Sequence, residues 1–88
     1  MLLDMLKIDL GIMSTAYDDR LGQYILSAQE MIEREGVKDL DLDASMEDMQ
    51  LVVMYAAWLW RKRDNMEAMP RMIRYALNNR LFAQKARV

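Results

Sequence analysis

Apolar residues recur along this chain with helical spacing, and four stretches stand out. Residues 18–35 carry the cleanest stripe, in which Leu21, Tyr24, Ile25, Ala28, Met31 and Ile32 follow an i, i+3, i+4, i+7 pattern. Asp18 or Asp19 fits as its N-cap, and Gly36 stops it. Residues 1–10 place Leu2, Leu3, Leu6 and Leu10 near the same spacing, which predicts a short amphipathic helix with Gly11 as its C-cap. Ile12 to Tyr17 read as a connection. Residues 70–83 open on Pro70, whose missing N–H is no loss in a first helical turn. Their stripe is Met69, Met72, Ile73, Ala76, Leu77 and Leu81, with Phe82 on a flank and Arg71, Arg74 and Arg80 on the other faces. Gln84 to Val88 read as a basic, frayed tail.

The remaining stretch, residues 45–63, is organised differently. Ser45 is a suitable N-cap. Glu47 and Asp48 sit at the positive end of the helix dipole, and Arg61, Lys62 and Arg63 at the negative end. Between them Leu51 to Trp60 are all apolar or aromatic. Such a helix is about 28 Å long, and its apolar run falls short of the ~18 residues that a membrane span needs. Trp58 and Trp60 lie about 200° apart around it. A helix apolar on all sides must be covered on all sides. In so short a chain, either the other helices wrap it completely or one stripe is covered by a second copy of the protein, and the second is the reading we favour. The fold expected is therefore all-α: one domain over residues 1–88, a small bundle of one short and three longer helices, self-assembling.

Composition narrows the chemistry. The 88 residues contain no Cys and no His, so neither a disulfide nor the commonest zinc, haem or proton-transfer side chain is present. With no such staple in a domain this small, oligomerisation is the available source of extra stability. The serines and Thr15 have no His to activate them, and the Glu-x-x-His pairs of a di-metal bundle cannot exist here. We therefore expect no catalytic, cofactor-binding or metal site. The loop VKDLDLDA, residues 37–44, opens like a calcium loop with Asp39, Asp41 and Asp43. The positions that such a loop gives to Gly and Glu hold Ala44 and Gln50 instead. It reads as an acidic surface loop whose leucines, Leu40 and Leu42, tuck onto the core. The opening MLLDMLKIDLG has acids within its apolar stretch and no basic leader, unlike a signal peptide, which suggests cytoplasmic synthesis.

The net charge of −2 conceals an asymmetry. Residues 1–44 hold four bases and ten acids, a net −6, whereas residues 45–88 hold eight bases and four acids, a net +4. Head-to-tail association, acidic face against basic face, would close into a ring or run on as a filament. The candidate contacts are Trp58 and Trp60, the loop methionines Met66 and Met69, Glu30 and Glu33 on the acidic side, and Arg61 and Arg63 on the basic side. The basic half also suits phosphate, which keeps a small helical DNA-binding or regulatory module as the alternative.

The order of these features resembles the small head–tail connector, or adaptor, proteins of tailed bacteriophages and prophages. A short first helix is followed by DDRLGQYILSAQEMIEREG, an acidic loop, a helix ending YAAWLWRKRD, and MPRMIRYALNNRLF. The resemblance covers about residues 1–83. It implies a non-enzymatic, all-helical subunit that assembles into a ring of about a dozen copies. In the virion, such a ring sits beneath the portal, meets tail or stopper proteins, and extends the DNA channel at the head–tail junction. It assembles in the bacterial cytoplasm. Arg71, Arg74, Lys85 and Arg87 are then candidates for non-specific contact with passing DNA. The chain departs from the family in its short C-terminus after Phe82.

Overall fold

A computed structural model of the chain describes residues 1–64 and 66–86. These residues form four helices: α1 (Leu2–Leu10), α2 (Asp18–Arg34), α3 (Met46–Lys62) and α4 (Arg71–Ala86). No described helix is long and apolar enough to cross a membrane.

Local chemistry sets the helix ends. Gly11 adopts φ 72°, the left-handed geometry that ends α1, and its N–H reaches the Ile8 carbonyl. The Ser45 hydroxyl accepts the Asp48 N–H at 3.2 Å and caps α3, a contribution of about 1 kcal/mol. The Pro70 carbonyl accepts the N–H groups of Ile73 and Arg74 to start α4. The expected Asp18 or Asp19 cap of α2 is not formed. Tyr17 holds the N-cap position without a side-chain bond, while Asp18 pairs with Lys7 of α1 at 2.9 Å.

Helix α3 runs through the centre and contacts each of the other three helices. Its N-terminal end lies beside the 37–44 loop and the C-terminal half of α4, through Asp48 and Arg80. Its C-terminal end lies beside the start of α2, where Trp60 meets Tyr17 and Tyr24. Both α2 and α4 are thus antiparallel to α3 and parallel to each other. The molecule is a slab of 43 × 29 × 17 Å.

The core differs from the sequence reading in three ways. First, α3 is covered largely by its own chain. Leu51, Val52, Val53, Tyr55, Ala56, Ala57, Leu59 and Trp60 are buried, and only Met54 and Trp58 of the Leu51–Trp60 run keep partial exposure. No whole stripe of α3 is left for a second copy to cover. Second, α4 keeps the predicted stripe except at one position: Met69, Ala76 and Leu81 pack against the core together with Ile73 and Leu77, but Met72 does not. Ile73, Leu77 and Arg80 face inward, whereas Met72 is exposed. Met31 of α2 and Met46 of α3 are likewise at the surface. Third, α4 continues to Ala86, and Gln84 is tied down rather than frayed. Its amide donates to the Gly36 carbonyl at 2.9 Å, and its oxygen accepts the Lys38 N–H at 2.7 Å. Leu40 and Leu42 pack against the core from the acidic loop.

Candidate functional site

The most demanding polar feature is a buried clasp that holds α4 to α3. Asp48 and Arg80 are only 4% and 8% exposed. Arg80 Nε donates to Asp48 Oδ1 at 2.8 Å, and Nη2 donates to the Lys38 carbonyl at 2.8 Å and the Asp39 carbonyl at 3.3 Å. Nη1 reaches Gln84 Oε1 at 3.2 Å. The second oxygen of Asp48 accepts the Asp41 N–H at 2.9 Å. One guanidinium thus ties α3, α4 and the 37–44 loop together. A buried pair needs this completeness, since desolvation otherwise exceeds the attraction. Within the loop, Asp41 Oδ1 accepts the N–H groups of Asp43 and Ala44, closing a turn on itself. Among the described residues, no group of three or more Asp or Glu is placed to hold a metal ion.

The C-terminal end of α3 is a second cluster. Trp60 packs edge-on against Tyr17 at 5.6 Å and Tyr24 at 5.7 Å, and the Arg63 guanidinium lies over its ring at 3.6 Å. Arg63 also donates to the Trp60 carbonyl. Trp58 is half-buried against Tyr55, with Lys62 over its ring at 4.4 Å and its Nε1 donating to the Glu67 carbonyl at 3.1 Å. Burial pushes the Tyr55 hydroxyl above the usual phenol range; the Glu35 carboxylate adds to this and Arg74 opposes it.

The residues singled out from sequence are therefore scattered. Trp60 is 8% exposed and offers a partner almost nothing. Met66 is fully exposed, while Met69 packs on the core. Glu30 and Glu33 lie on the outer side of α2, where Glu30 pairs with Arg34 at 2.6 Å. Arg61 pairs with Asp9 at 3.5 Å. Of the four candidates for DNA contact, Arg74 is engaged with Glu35 at 3.3 Å. Arg71 and Lys85 are exposed, and Arg87 lies outside the described residues.

The feature that sequence reasoning missed is the outer face of α4. Met72, Tyr75 and Phe82 are 69%, 59% and 78% exposed. With Asn79 they stand at three- and four-residue steps, so all four project from one side of the helix. Ile73, Leu77 and Arg80 are buried on the opposite side. The signal was present in the spacing 72, 75, 79, 82. It was hidden because Met72 and Ile73 are adjacent, and either could have faced the core. The face is bordered by Arg71 and Lys85, which have no acidic partner among the described residues. Helix α4 contains no acid at all.

No protein-family model, curated protein or solved structure matches this chain.

Proposed function

We propose that the protein is a structural, self-assembling subunit of a phage or prophage head–tail connector, without catalytic activity. It oligomerises into a ring that docks under a portal, contacts tail or stopper proteins, and extends the DNA channel at the head–tail junction of the virion. The observation that carries this reading is the outer face of α4. Three large apolar side chains, two of them aromatic, stand in solvent along one side of a helix whose opposite side is fully used by the core. Aligned exposed apolar residues mark contact surfaces, whereas single scattered ones do not. The order of the sequence segments supports the connector assignment, and the absence of His and Cys fits a structural role. Passing DNA would meet exposed bases such as Arg71 and Lys85 through its phosphates, with no reading of sequence.

A paired substitution on this face tests the reading. Replacing Tyr75 and Phe82 together by serine should weaken self-association by about 2 kcal/mol, roughly 30-fold, as measured by sedimentation. The unfolding midpoint in denaturant should stay close to that of the unaltered protein, because neither ring belongs to the core. Unchanged self-association would count against the α4 face as the assembly surface.

A further inference from the structure

The assembly reading leaves open what covers α4, and the charges on the molecule's two outer faces answer this. A second α4 is a poor partner. The helix has bases and no acids, so two copies of this face would set like charges together in either direction. The outer face of α2 has the opposite character. Asp19, Gln23, Leu26, Glu30 and Glu33 step along it by four and three residues, and all five are exposed. Leu26 is its large apolar side chain. Glu30 is engaged with Arg34, whereas Asp19 and Glu33 have no basic partner among the described residues. Arg20 lies about a quarter-turn away around the helix.

The two faces also match in length. Asp19 and Glu33 are fourteen residues apart on α2, and Arg71 and Lys85 are fourteen residues apart on α4. Each pair is therefore separated by about 21 Å along its axis. If Arg71 is aligned with Asp19, Lys85 meets Glu33. Leu26 then falls opposite Asn78, in the gap between Tyr75 and Phe82. Direction agrees too. Within one molecule α2 and α4 are parallel and flank α3, so copies set side by side in the same orientation bring α4 of one alongside α2 of the next in parallel.

Resting on the assembly reading, we propose that the ring contact is heterologous. The outer face of α4 packs in parallel on the outer face of α2 in the next copy, with Leu26 seated between Tyr75 and Phe82. The paired charges Arg71 with Asp19 and Lys85 with Glu33 fix the register. One helix-on-helix contact buries less than the ~800 Å² per partner of a standard interface. Association between isolated copies is accordingly concentration-dependent and weakened by salt.

The chain contains no cysteine, so introduced thiols report on this contact alone. The variant carrying both Leu26→Cys and Asn78→Cys, mildly oxidised at low salt, should give a ladder of disulfide-linked dimers, trimers and larger species on a non-reducing gel. Each single variant should stay uncrosslinked. The ladder should fade at about 1 M salt, where charges are screened beyond about 3 Å. Both substituted positions are exposed, so folding should be retained, and circular dichroism verifies this. Self-association by light scattering with no ladder would overturn the α2–α4 contact and leave the assembly reading standing. Dimers from the Asn78→Cys variant alone would overturn it in favour of α4 pairing with itself. Neither self-association nor ladder would overturn both.

Discussion

Replacing Arg80 by methionine is expected to cost about 3–5 kcal/mol of folding stability, the penalty for leaving one member of a buried ion pair uncompensated. The Asp48 carboxylate would lose its charged partner inside the protein and keep only the Asp41 N–H. The Lys38 and Asp39 carbonyls and Gln84 would lose a donor as well. At about 0.05–0.15 kcal/mol per residue, a chain of 88 residues has a total stability of roughly 4–13 kcal/mol. The loss is thus a large fraction of the whole. At roughly 4–8 °C per kcal/mol, thermal unfolding should fall by on the order of 15 °C or more. Denaturant titration of Arg80→Met, of Asp48→Leu and of the double variant completes the test. Removing both charges should recover much of the loss, since an apolar pair of similar volume is tolerated where a lone buried charge is not. A loss below about 1 kcal/mol for Arg80→Met, typical of a surface pair, would mean that the clasp does not hold α4.

Trp60→Ala should be comparably severe, at about 3–5 kcal/mol. The indole closes the end of the core where α2 begins. Its removal leaves Tyr17 and Tyr24 facing a void and Arg63 without its ring. Trp58→Ala should cost distinctly less, because Trp58 is half-buried and the main loss is its packing on Tyr55 and one bond to the Glu67 carbonyl. Denaturant unfolding of the two variants side by side distinguishes their roles. The two tryptophans look alike in sequence, being two positions apart on one apolar helix. Equal losses would mean that the difference in burial has no energetic consequence. Neither indole stands on the face proposed for assembly, so loss of oligomer in Trp60→Ala should track unfolding.

The division between what sequence reveals and what it hides follows a physical line. Local chemistry was legible. The hydroxyl of Ser45 and the missing Cβ of Gly11 act within one helical turn, and the 3–4 spacing of Leu21, Ile25, Ala28 and Ile32 needs only the period of the helix. Partnership across the fold was not legible. Arg80 occupies the same side of α4 as Ile73 and Leu77, and charge alone suggests solvent there. Only the position of Asp48, thirty-two residues earlier, allows it inside. The same gap affected the charge asymmetry. Half-chain totals cannot register that Arg61 meets Asp9 and Arg74 meets Glu35, each pair joining the basic half to the acidic one. Four of the eight bases in the second half, Arg61, Arg63, Arg74 and Arg80, are paired within the molecule, and the unpaired remainder on α4 comes down to Arg71 and Lys85. The outer face of α4 escaped notice for a related reason. The inward stripe of α4 was identified except at Met72, and placing Met72 inward beside Ile73 left Phe82 as a lone flank residue instead of one end of an outer row.

Solution mass by light scattering, over a concentration series at low and at high salt, tests the central claim of self-assembly most directly. The chain mass is 10.4 kDa. We expect the mass at low salt to rise with concentration toward one discrete multiple of that value, and to fall back when salt is raised. A mass of 10.4 kDa at every concentration and at both salts would contradict the account.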